Sequence, residues 1–189
     1  MTAMGLTLGQ AKKLWSELRI AVDDGLSQTE FRRIEGGLKF SFNADHRVLL
    51  ASGLPRGGRW PDWRGAEPEE LKQRLAEPVE GVLFDVEENG FWHRSWGRRP
   101  AELKEALRLA KSKVQSAPLL VPIYGHRYSP ALPQPNLPVF SVVQTDVIVY
   151  GSTIEEYLRR EFGSEDMEAK LTPADRVPFW SDLVAVEEH

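Results

Sequence analysis

Three short strings hold most of the side chains able to do chemistry or grip a partner: WPDWR (60–64), ENGFWHRSWGRRP (88–100) and VPIYGHRY (121–128). His93, His126 and Asp146, with scattered carboxylates, are the candidate acid–base groups. Nucleophilic catalysis needs a base within hydrogen-bond reach of the nucleophile and a third group to orient that base. The chain has no G-x-S-x-G, no H-E-x-x-H and no glycine-rich phosphate loop. It also has no cysteine, which removes disulfides, thiolate zinc sites and cysteine nucleophiles together. Asp85, Glu87 and His93 form a candidate metal set, because alternate residues of an extended segment share a face and histidine supplies nitrogen. Against it, Asn89-Gly90 separates the carboxylates from the histidine, and carboxylates of this kind usually bond loop amides or arginines. No catalytic residue, metal or cofactor is therefore expected.

The same strings suit binding better. Trp60, Trp63 and Arg64 in the first loop, and Trp92, His93 and Trp96 in the second, interleave π faces with cations. That composition fits base stacking, a protein interface, or simple pinning of a loop into the core. In the third string a glycine ends a strand and fixes Tyr124, His126 and Arg127 near a sheet edge. These nine residues are the candidate partner-binding set. The plainer alternative has His126 and Arg127 satisfying loop carbonyls and carboxylates such as Asp146 or Glu87.

Composition bounds the rest. A chain of 189 residues, 41% hydrophobic and 28% charged, fits one globular domain over 1–189 with a substantial core. No apolar run approaches the roughly 18 residues needed to cross a bilayer. The start, MTAMGLTLGQAKKLW, lacks the pattern of a secretory signal, so a cytoplasmic location is expected. A net charge of -4 argues against nucleic acid as the partner and leaves the oligomeric state open.

The elements that must position these strings follow from periodicity. Thr7 with Gln10 is a capping-box spacing ahead of Ala11, Leu14, Trp15, Leu18 and Val22, a helix that Asp23-Asp24-Gly25 should stop. Ser27 with Glu30 repeats the box before Phe31 and Ile34, until Gly36-Gly37. Leu38, Phe40 and Phe42 alternate as a brief extended segment, and Asn43 caps a third helix up to Gly53. Pro68 opens a short helix through Leu71 and Leu75, and 79–86 (VEGVLFDV) reads as a buried strand. Pro100 starts a helix with the stripe Leu103, Ala106, Leu107, Ala110 and Val114. Residues 119–124 form a strand, 139–150 (VFSVVQTDVIVY) two strands turned near Thr145, and Ser152 with Glu155 caps a helix carrying Ile154, Tyr157, Leu158 and Phe162. Phe179, Trp180 and Leu183 should fold back onto the body. Helices before, between and after a small antiparallel sheet indicate an α+β fold.

With those elements in place, the sequence resembles the SUKH superfamily, the cell-wall assembly regulator type. The resemblance rests on Glu30 in an early helix, the Leu54-Pro55 corner, Asp146 in a late strand, and the following 154–158 segment, and is strongest over 26–162. The strings WPDWR, DVEENGFWHRSWG, PIYGHRY and PVFSVVQTDVIVYG are similar to its bacterial, uncharacterised branch, although Pro135-Asn136-Leu137 replaces the usual glycine-asparagine turn. What this implies is a non-enzymatic protein-binding module: an immunity protein that blocks the toxin domain of a polymorphic toxin, or a regulatory scaffold. The alternative from the residues is a small enzyme or nucleic-acid-binding protein using an aromatic, basic cleft.

Overall fold

A computed structural model describes residues 4–164, 169, 171–172 and 175–184. The architecture is α+β, with a two-stranded and a four-stranded antiparallel sheet among seven helices in the described residues.

The first third is helical. Helix α1 (Leu8–Glu17) carries the expected capping box between Thr7 and Gln10 and buries Ala11, Leu14 and Trp15. It ends well before Asp23. Arg19 takes a left-handed φ of 55°, and Val22 enters a short strand β1 (Val22–Asp23) rather than the helical stripe. Helix α2 (Gln28–Leu38) has the Ser27–Glu30 box and runs straight through Gly36-Gly37 to a left-handed Lys39. A helical glycine costs only about 1 kcal/mol against alanine, too little to end a helix whose Phe31, Ile34 and Leu38 pack into a core. Phe40 and Phe42 follow in irregular chain, not in a strand. Asn43 caps α3 (Ala44–Ser52) by accepting from His46 N at 2.9 Å. Strand β2 (Leu54–Pro55) then pairs with β1, Val22 opposite Pro55.

The segment 79–86 is helix, not strand. Helix α4 (Pro68–Glu88) is 21 residues long and buries Leu71, Leu75, Pro78, Val82, Asp85 and Val86 at helical spacing. Valines and the breakers Pro78 and Gly81 imitate a strand locally, and an apolar run this short does not distinguish the two. Its burial against the sheet decides. Helix α5 (Leu103–Gln115) starts three residues after Pro100 and buries Ala106, Ala110 and Val114, while Leu103 is 43% exposed and Leu107 half-buried.

The main sheet is a meander of β3 (Leu120–Tyr124), β4 (Arg127–Pro130), β5 (Val139–Val143) and β6 (Asp146–Gly151), in that spatial order. Strand β4 is unforeseen in the sequence because it is four residues long, ends on a proline and pairs with β5 at only Arg127–Ser141 and Tyr128–Phe140. The hairpin turning near Thr145 is present, with Val143 opposite Asp146. Helix α6 (Ile154–Phe162) is capped by Thr153, one residue later than the Ser152 spacing suggested. It docks closely on the end of β6: a Cβ at Gly151 would sit 2.6 Å from Tyr157 N. Helix α7 (Trp180–Leu183) folds back as expected, with Trp180 buried and its Nε1 donating to Pro118 O.

Side-chain alternation makes the sheet two-sided. Phe140, Val142 and Val147 face α4 and α5, packing with Val82, Val86, Ala110 and Val114. On the other face α6, α1 and α3 cover Val139 with Tyr157, Leu158, Leu14 and Leu49. A third cluster joins α2, α3 and the start of α4 around Phe31, Phe42, Leu54 and Trp63.

Asp85 locks α4 to the hairpin. Its Oδ2 accepts from Thr145 N (2.9 Å) and Thr145 Oγ1 (2.6 Å), and its Oδ1 from Asn89. Burial works to raise this carboxyl, but the bonds from Thr145 and Asn89 outweigh it and hold the group below its usual value. Asp85→Ala is expected to destabilise the fold by about 1–3 kcal/mol in urea unfolding and to speed amide exchange at Thr145 first.

His46 sets a pH dependence. The ring is fully buried and desolvation lowers its pKa from 6.5 to about 3, so the folded protein holds it neutral while the unfolded chain protonates it. Stability is complete above pH 6.5 and falls as pH drops toward 3, at up to about 1.4 kcal/mol per pH unit for such a group. Urea midpoints should show that decline, and His46→Leu, which takes up no proton, should flatten it.

Candidate functional site

The tightest cluster of the proposed binding residues forms at the β3–β4 turn. Tyr124 pairs with Arg127 across a two-residue loop, Gly125-His126. Gly125 takes φ +53° and His126 does not enter the left-handed region, the pattern of a II′ hairpin, where glycine at the first turn position costs no strain. Gly125 N donates to Arg59 O, so the turn is tied to the loop that carries Trp60. YGHRY is thus a hairpin, tied at its turn to the Trp60 loop.

Arg127 is the centre. Its Nη1 donates to Ser141 Oγ at 2.9 Å, its Nε lies 3.4 Å from Glu161 Oε2, and its guanidinium sits 3.9 Å from the Tyr150 ring centroid. Arg160 approaches the same ring at 4.3 Å, so Tyr150 has two guanidiniums against it. Beside this stack Tyr124 meets Trp60 at 4.8 Å and Phe162 at 5.0 Å, and Trp60 lies nearly parallel to Phe162. Burial holds the His126 imidazole below its usual pKa; Arg127 and Arg59 add to that, and Glu161 opposes it. The ring is therefore neutral at physiological pH. Burial, with the Glu161 charge next, pushes the Tyr157 phenol well above its usual value.

The cross-strand row Arg127, Ser141, Ile148 continues this cluster along the sheet. Val143, two residues from Ser141, points to the same side, diagonal to Ile148. Val143 is 53% exposed and Ile148 43% exposed, so the hairpin end of this face is open where its other end lies under α6. The turn therefore sets a largely buried guanidinium and the half-buried Tyr150 ring beside the exposed aliphatic groups of Val143 and Ile148.

The other proposed residues go elsewhere. Trp63 is buried in the third cluster, 5.0 Å from Phe42. Arg64 fixes its loop: Nε and Nη2 reach Glu30 at 2.6 and 3.2 Å, and Nη2 also donates to the carbonyls of Asp24 and Gly25. Arg64 and the capping bonds of Ser27 lower the Glu30 carboxyl to about 2. In the second loop, His93 and Trp96 are buried; Trp96 stacks on Phe179, and His93 Nδ1 meets Ser95 Oγ at 2.7 Å. Burial lowers the His93 pKa, against the pull of Asp182. Trp92 stays half-buried, with its Nε1 bonded to Gly97 O and Arg99 over its ring. Trp63, His93 and Trp96 thus have almost no surface to offer a partner. The candidate metal set does not assemble either, since Asp85 serves the hairpin turn and Glu87 is exposed on α4.

Asp146 is not the partner of the corner arginine; it is exposed in β6, and Glu161 takes that place. Tyr150, Arg160, Glu161 and Phe162 escaped the sequence-based set. The signal for them was the late helix, whose Arg160-Glu161-Phe162 end follows a strand closing on Tyr150. Among the described residues no helix is long and apolar enough to cross a membrane. Compared with known proteins, the chain matches no family model, no curated protein and no solved structure.

Proposed function

We propose that this chain is a non-enzymatic protein-binding module of the kind its sequence resemblance implies, an immunity protein against a toxin domain or a regulatory scaffold, and that it binds through the open face of the main sheet. The observation that carries this is the pair Val143 and Ile148, half-exposed on rigid paired strands next to the Tyr150–Arg127–Arg160 stack. Tyr and Arg dominate interface hot spots, and β-branched residues on a paired strand lose little entropy when covered. A ready-made surface of this sort binds with little rearrangement.

A photo-crosslinking amino acid at position 143 should capture a defined protein in the source cell, and the purified pair should form a stoichiometric complex. Val143→Asp and Ile148→Asp are expected to weaken that complex by about 2 kcal/mol or more, with urea midpoints little changed. His126→Ala should remove no turnover. The opposite result, a hydrolase or nuclease activity that disappears with His126→Ala in a folded protein, replaces the binding module with an enzyme.

A further inference from the structure

On the other side of the sheet, α4 and α5 diverge over a groove of about 350 Å3. Leu75, Pro78, Val79 and Leu83 of α4 form one wall, Val114 of α5 the other, and Leu119 closes the end. Apart from Leu119, which precedes β3, these are apolar side chains on two helices packed against the sheet, so the concavity belongs to the fold. Its volume falls within the roughly 300–1,000 Å3 of small-molecule sites, whose linings are mostly apolar with few polar groups. From Lys72 to Leu83 the α4 wall runs about 16 Å at the helical rise, the reach of an extended medium-length alkyl chain.

The rim supplies the second requirement. Lys72, Lys111 and Glu80 border the groove. Lys72 is already paired with Glu69 at 2.6 Å, whereas Lys111 makes no ion pair among the described residues. One uncommitted ammonium beside an apolar trough complements one negative charge on the end of an alkyl chain. Glu80 borders the same rim, also without an ion pair among the described residues, so an anionic head group is favoured only on the Lys111 side and only with a single charge. We infer that this groove binds a single-chain, monoanionic amphiphile, a fatty carboxylate, with the alkyl chain along α4 and the carboxylate at Lys111. The site is independent of the open sheet face, and nothing in it depends on the proposed protein partner.

Dodecanoate and dodecyltrimethylammonium below their micelle concentrations, and dodecanol below its solubility limit, distinguish the charge from the chain. Isothermal titration of the full chain should show dodecanoate binding one to one, and amide shifts should centre on Val79, Leu83 and Leu119 and leave Val143 and Ile148 unmoved. Lys111 is exposed and makes no side-chain bond among the described residues, so Lys111→Glu should fold normally, weaken dodecanoate by about tenfold or more, and leave dodecanol within about twofold. Absence of saturable dodecanoate binding overturns the inference. So does equal binding of the trimethylammonium amphiphile, an unchanged dodecanoate affinity in Lys111→Glu, or shifts confined to the open sheet face.

Discussion

The pairing of Glu30 with Arg64 is the constraint on which the rest of the structure depends. The glutamate completes the capping box of α2 and, with the same carboxylate, holds the guanidinium of a loop between α3 and α4. That loop carries Trp60 and Trp63, three positions apart, into two different clusters: Trp63 meets Phe40 and Phe42, and Trp60 meets Trp15, Tyr124 and Phe162. An exposed ion pair on its own contributes little, about 0–1 kcal/mol. Here the larger effect is positional. Arg64 also satisfies the carbonyls of Asp24 and Gly25, so one side chain joins the α1–α2 connection, the α2 cap and the tryptophan loop. Trp60 then reaches the β3–β4 turn, which is how the helical third of the chain fixes the sheet's corner.

The sheet depends on a comparable anchor at its far end. Asp85, near the end of a 21-residue helix, accepts the backbone and hydroxyl of Thr145 and so fixes where the β5–β6 hairpin lies against α4. Gly81 approaches Gln144 closely, with a would-be Cβ 3.0 Å from its Cα, so a side chain there would push the hairpin turn aside by a few tenths of an ångström. With the hairpin held from the α4 side, Val143 and Ile148 on its opposite face stay exposed. Exposed β-branched residues on a strand fixed this way form a surface, in contrast to exposed residues on a mobile loop.

Arg127 shows why a binding corner and a structural corner are not alternatives. Its hydrogen bond to Ser141 and its ion pair with Glu161 are the contacts expected of a largely buried cation needing partners, and removing one side of such a pair leaves a costly unpaired charge. The same contacts hold its guanidinium over Tyr150, so an interior contact also orients the half-buried ring. Burial, with Arg127 and Arg59, holds the neighbouring His126 imidazole below its usual pKa, so this corner disfavours a further cation.

Local signals were enough to place much of this in the sequence. The capping boxes at Thr7 and Ser27, the Asn43 cap, the Thr145 hairpin and the return of Trp180 depend on neighbours within a few residues or on strong apolar character, and such features are legible one segment at a time. Segment 79–86 was not legible, because valine spacing with a proline and a glycine fits a strand until the sheet opposite Val82 and Val86 selects the helical face. Strand β4 exists only because β3 and β5 lie on either side of it. The candidate residues divided for the same reason: tryptophan and histidine types alone do not say which rings a core will swallow, and Trp63, His93 and Trp96 went inside while Trp60, Tyr124 and Arg127 met across three elements. Sequence by itself determined the α+β class and the residues that fix local turns and caps. Which faces remain open, at Val143 and Ile148 and along the α4–α5 groove, was decided by tertiary packing, since exposure belongs to a side chain's distant neighbours and not to its own position in the chain.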